Sequence, residues 1–175
     1  MDNNTIIAMS SVIIALAALV ATIWQGLITQ KHNRLSVKPI GDILANNFED
    51  KIEVILENKG TGPLIMKSFR AIVGNESKSN VIDWMPNLPE GFRWSNFLKD
   101  FEGSAFKPFE SNILVEFSLD LRDEKRIEIR DNIREALSKI CIEFEYTDIY
   151  NNKMYFPLHC LSNVFGNDNS RSSMK

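Results

Sequence analysis

The sequence predicts one N-terminal transmembrane α-helix joined to a mainly-β domain, a β-sandwich or β-barrel-like fold that carries one amphipathic helix. Three observations lead there. Residues 5–28 read TIIAMSSVIIALAALVATIWQGLI without a charged group, long enough for the roughly 30 Å hydrocarbon core of a bilayer. Short β-branched and aromatic runs divided by Gly, Pro and Asn turns fill most of the remaining chain. Only residues 123–139 switch to helical spacing.

The apolar stretch reads as an anchor rather than a cleaved leader. Met1-Asp2-Asn3-Asn4 holds an acid and no base, and the apolar run exceeds a signal peptide's. The expected division is an outside tail over 1–4, the membrane helix over 5–29, a basic linker over 30–34, the β domain over 35–165 and a disordered tail over 166–175. Lys31, His32, Arg34 and Lys38 follow the helix and no base precedes it, so the positive-inside rule places the N-terminus outside and the domain in the cytoplasm, at a bacterial inner membrane. Trp24 suits the inner interface. Ala8, Ser11, Ala15, Ala18 and Thr22 recur at alternating spacings of three and four, giving one small-residue stripe through which helices approach closely, so a homo-oligomer in the lipid bilayer is expected. No ionisable group lies inside the span, which argues against a proton or ion path through it.

The domain's elements run in order along the chain. Residues 35–43, interrupted by Pro39, read as a first strand near a sheet edge. Residues 51–57 alternate, with Ile52, Val54 and Leu56 on one face and Ile55 as the exception. Asn58-Lys59-Gly60-Thr61-Gly62-Pro63 is a turn, 64–73 a strand, and 74–80 an exposed loop. Residues 81–109 are irregular and aromatic, 113–121 return to a strand, and Ile129, Ile133, Ala136, Leu137 and Ile140 mark the buried face of the amphipathic helix. The chain ends on a hairpin. A loop of Tyr150-Asn151-Asn152, with Asn152 left-handed, would pair Tyr146 with Phe156, Phe144 with Leu158 and Ile142 with Cys160.

Net charge −3 with both signs mixed along the chain gives no nucleic-acid footprint. Cys141 and Cys160 match no metal-ligand spacing, and no metal or cofactor is expected. A cytoplasmic location predicts free thiols, and in that hairpin register Cys141 points away from Cys160, which disfavours a disulfide. His32 belongs to the basic stop, His159 falls outward in its strand or toward a neighbouring sheet, and no nucleophile and base share a motif. A non-enzymatic protein is therefore expected.

The order of an anchor, a basic stop, an LSVKP strand, an NKGTGP turn after an alternating strand and an EYTDIYNN hairpin resembles small bacterial single-pass membrane proteins with a cytoplasmic immunoglobulin-like β-sandwich. A looser likeness is to the membrane-tethered β-domain effectors of antiphage signalling. That likeness implies a domain that binds a nucleotide messenger and helices that assemble to damage the membrane.

The candidate ligand site is the aromatic segment with its basic neighbours: Lys67, Arg70, Arg93 and Lys99 around Trp84, Trp94 and Phe97. Aromatic faces stack a base and Arg grips a phosphate; the same aromatics also suit plugging the open end of a sandwich or resting on lipid headgroups. Two functions remain open. One is a sensor or effector whose ligand drives clustering of the helix. The other is a scaffold that tethers a partner protein at the inner membrane through a sheet edge or loop, without disrupting the membrane. A domain outside the cell would require the charge rule to fail.

Overall fold

The structure is a computed structural model that describes residues 2–118 and 124–166. The end of the strand expected over 113–121 and the tail expected over 166–175, apart from Gly166, lie outside those residues. The chain forms two compact units, Met1–Val37 and Lys38–Lys175.

The first unit is α1, Asn3–Ser36. Its 34 residues measure about 50 Å at 1.5 Å per residue, more than a hydrocarbon core needs. The helix therefore runs on through the expected linker and the first residues of the expected strand. It stops ahead of Lys38-Pro39, because the residue before a proline is driven out of the helical region. None of its residues is buried, and it is long and apolar enough to cross a membrane.

The second unit is built of two antiparallel sheets that do not close into a barrel. One holds β1 (Gly41–Asn47), β2 (Lys51–Asn58), β7 (Ser111–Ser118) and β5 (Asn96–Phe97), in that order. The other orders β4 (Glu76–Lys78), β3 (Leu64–Val73), β8 (Cys141–Thr147) and β9 (Lys153–Cys160), with β6 (Ala105–Phe106) also on β3. Strands A-B-E-D facing C′-C-F-G in an immunoglobulin sandwich have the same order. The stretch expected as a loop over 74–80 folds back as β4, turning at Gly74 with φ +60°.

Alternation sets the core. Ile52, Val54 and Leu56 on β2, Leu64, Met66, Phe69 and Ala71 on β3, and Ile142, Phe144 and Tyr146 on β8 are all buried. Ile55, the exception to the pattern, sits at a bulge. Val54 pairs with Val115 and Ile55 with Ile113, so Leu114 is the extra residue and goes into the core. The outer face of β2 keeps Glu53, which accepts a hydrogen bond from Asn46 and pairs with Lys51 at 2.6 Å. Burial works to raise the Glu53 carboxyl, and the bonds from Lys51 and Asn46 outweigh it, leaving it below its ordinary value.

Asn58 holds the following turn. Its Oδ1 accepts from the Ile40 and Gly60 amides, and its Nδ2 donates to the carbonyls of Gly62 and Lys107 at 2.7 and 3.1 Å. Gly60 is required here because a Cβ would stand 2.3 Å from the Lys38 carbonyl oxygen. α2 (Glu124–Ser138) presents Ile129, Ile133 and Leu137 to the core. Arg134 reaches from it to the Asn47 Oδ1 at 2.7 Å and to the Phe48 carbonyl, fastening the helix to the β1–β2 turn.

The terminal hairpin departs from its expected register. Tyr146 pairs with Met154 and Phe144 with Phe156, while Ile142 pairs with His159 and Cys141 with Cys160. The connection is the five-residue stretch 148–152 rather than three. Buried Asp148 organises it, its Oδ1 accepting from the Tyr150 and Asn152 amides at 2.8 and 2.9 Å. Asn151, not Asn152, is left-handed at φ 61°. Between the two halves of the ladder, Pro157 and Leu158 together oppose Glu143. Proline has no ladder donor and settles at bulges, and this bulge reverses the phase of β9. Leu158, expected inside, is 55% exposed; His159, expected outward or toward a neighbouring sheet, stands opposite buried Ile142 and near the Phe156 ring. Cys141 and Cys160, expected as free thiols, face each other and form a disulfide. After Leu161 the short α3 (Ser162–Phe165) buries Phe165.

Candidate functional site

β4 lies on an edge of one sheet and β5 on an edge of the other, so residues 79–95 must pass between the sheets along the side of the sandwich. They are anchored at two points. After buried Val81, a 3₁₀ turn at Ile82–Trp84 returns the Trp84 indole to β3, where Nε1 donates to the Ala71 carbonyl at 2.9 Å. The Lys78 ammonium caps the same ring 4.0 Å from its centre. Further on, Trp94 meets Phe117 of β7 edge to face at 5.7 Å. The tryptophans thus close the flank of the core.

Between these anchors the chain leaves an open cleft of about 640 Å³, walled by Met85, Pro86, Phe92, Trp94 and Phe97, with Asp83, Arg93 and Lys99 as its charged groups. That volume lies in the range of about 300 to 1,000 Å³ that holds small-molecule ligands. Phe97 is 46% exposed, a ring with a free face. Lys99 pairs with Asp83 at 2.8 Å, and Asn80 donates to the same carboxylate. The Lys99 ammonium, helped by the Asn80 amide, holds the Asp83 carboxyl below its ordinary value. Lys99 is therefore neutralised, whereas exposed Arg93 pairs with no carboxylate among the described residues. The cleft offers an aromatic wall beside one uncompensated guanidinium.

The structure brings together four of the seven residues expected at a ligand site, Arg93, Trp94, Phe97 and Lys99. Trp84 backs the region with its N–H already used. Lys67 is elsewhere, exposed at a β3 bulge between Met66 and Ser68. Arg70 is on the outer face of the sheet, paired with Glu143 beside Tyr155 and Pro157. The two failed because β3 belongs to a different surface from the 79–95 crossover, and sequence proximity to aromatics does not report which surface a strand residue faces. Asp83, which neutralises Lys99, was missed; its only local signal is the Asn80-x-x-Asp83 spacing of a turn.

Ala8, Ser11, Ala15, Ala18 and Thr22 are all exposed on α1. Ser11 donates its hydroxyl to the Ile7 carbonyl and Thr22 to the Ala18 carbonyl. The stripe thus presents small volume, with these two hydroxyl donors already engaged. Among the described residues no cluster of His, Cys, Asp and Glu could hold a metal ion, and Cys160, next to His159 in the chain, is bonded to Cys141.

Fold and cleft define the class: a two-sheet sandwich with immunoglobulin strand order and an aromatic side cleft, on a chain whose described residues include one helix long and apolar enough to cross a membrane. Against protein-family models, curated proteins and solved structures, the chain finds no match.

Proposed function

We propose that this chain is a membrane-anchored, non-catalytic sensor: α1 holds it in the bilayer, and the β domain, on the cytoplasmic side, binds an aromatic anion of nucleotide size. The observation that carries the reading is the side cleft, where Phe97 and Trp94 offer faces for stacking and Arg93, which pairs with no carboxylate among the described residues, carries a charge suited to a phosphate. The cytoplasmic side follows from the Lys/Arg excess after the helix.

In the same reading the helix self-associates through Ala8, Ser11, Ala15, Ala18 and Thr22, and occupancy of the cleft drives that clustering, up to perturbing the bilayer. The small-residue stripe and the resemblance to antiphage effectors support this second half.

The test titrates the full-length protein in mild detergent with nucleoside monophosphates, triphosphates and cyclic dinucleotides while tryptophan fluorescence is followed. Saturable quenching by one class, lost in Arg93→Glu and Phe97→Ala, supports the sensor. No binding by any class removes it and leaves a scaffold that tethers a partner protein. Light scattering corrected for bound detergent reads the second half: a discrete oligomer that dissociates in Ala15→Leu/Ala18→Leu supports clustering, and a monomer in both forms ends it.

A further inference from the structure

A cytoplasmic domain and a disulfide make opposing demands. The flanking charges direct the domain to the compartment where glutathione and thioredoxin keep thiols reduced. Yet the chain's two cysteines sit as one directly opposed cross-strand pair. We propose that Cys141 and Cys160 form a reversible thiol–disulfide switch, open at the resting cytosolic poise and closed by a disulfide oxidant such as glutathione disulfide. This rests on the cytoplasmic orientation proposed for the domain.

The placement suits a bond that opens without unfolding the domain. β9 is an edge strand and both cysteines are half-buried on the outer face of the sheet, within reach of a small oxidant or reductant. The hairpin has other holds, the ladder from Phe144–Phe156 to Thr147–Lys153 and the stack of Phe144 on Phe156 with ring centres 4.7 Å apart. The position also gives the bond something to control. Directly after Cys160, the Leu161 amide donates to the Ile140 carbonyl at 2.9 Å, Phe165 is buried, and the Val164 carbonyl accepts from Asn47 of β1. The disulfide thus stands at the root of the segment that links β9 to the opposite sheet. Closing it pins that segment, and opening it leaves the segment to noncovalent contacts.

The chemistry balances. One cysteine thiolate attacks glutathione disulfide, breaking its S–S bond and releasing one glutathione. The other thiolate then attacks the protein sulfur of the mixed disulfide and expels the second glutathione. Two protein thiols give up two electrons, and their protons end on two glutathione thiols.

The experiment uses cells expressing the full-length chain, quenched in acid, with free thiols tagged by a mass-adding maleimide. Two tags at rest, none after diamide treatment and two again after recovery are expected. Tags absent at rest, or present throughout, overturn the switch. Orientation is read separately from Asn75→Cys placed in a Cys141→Ser/Cys160→Ser background and probed in intact cells with an impermeant maleimide. Protection is expected; labelling overturns the orientation itself, so the two failures are distinguishable. With the purified full-length protein, reduction should accelerate amide exchange over 157–166 on the order of tenfold. Equal exchange in both states overturns control of the segment.

Discussion

Cys141 and Cys160 face one another because Pro157 and Leu158 share a single partner, Glu143, across the β8–β9 ladder. Were the ladder regular over the same residues, the even-numbered side chains of β9 would all stay on one face, and Cys160 would stand opposite Ile140, on the other side of the sheet from Cys141.

Deleting Leu158 should therefore preserve the disulfide, since the shortened strand pairs regularly and still brings the second cysteine opposite Cys141. Inserting an alanine between Leu158 and His159 should destroy it, because the second cysteine then falls opposite Ile140, on the other face of the sheet. Mass analysis of peptides before and after reduction distinguishes the two. A bond lost on deleting Leu158 would contradict the bulge as its cause.

The bond joins residues 19 apart in sequence, and on loop-closure entropy Cys141→Ser/Cys160→Ser should cost about 3 kcal/mol relative to the oxidised protein. Thermal unfolding with and without dithiothreitol checks this. Wild type should lose stability on reduction while the double variant should not respond.

Asn58→Ala should be among the most damaging single changes in the turn region, by about 3 kcal/mol. It strips partners from the Ile40 and Gly60 amides and from the Gly62 and Lys107 carbonyls while leaving a cavity. Asn58→Asp keeps the two acceptor contacts and loses the donor ones, so it should fall between. Denaturant unfolding orders the three proteins.

Acid sensitivity should pass in part through Glu53. A carboxyl whose folded value is depressed stabilises above its unfolded value and ceases to do so as pH falls through the folded one. Its contribution should therefore be intact above the ordinary 4.5 and disappear below it. Glu53→Gln should be less stable than wild type at neutral pH and converge with it in acid. Parallel pH–stability curves would count against the Lys51–Glu53–Asn46 cluster.

At the cleft, Trp94→Ala should destabilise by about 3 kcal/mol because its ring packs on Phe117. Phe97→Ala and Arg93→Glu, on exposed side chains, should unfold within about 0.5 kcal/mol of wild type. Only the latter two are clean probes of binding, and thermal unfolding of all three is the control for any titration.

By itself the sequence determined what depends on local periodicity and composition. Residues 5–28 had to form an apolar helix because they hold nothing that needs water, and the alternation of Ile52, Val54 and Leu56 together with the period of Ile129, Ile133 and Leu137 marked which faces are buried. Tertiary structure decided what depends on partners distant in sequence. The five-residue connection set the near half of β9, and the far half changed phase because Pro157 has no amide to donate, a signal present in the sequence whose effect on register only the partner strand reveals. The seven expected ligand residues divided because Arg70 lies on a sheet face and Arg93 on a crossover joining two sheet edges. Which surfaces meet is set by how two sheets stack, a relation no window along the chain contains.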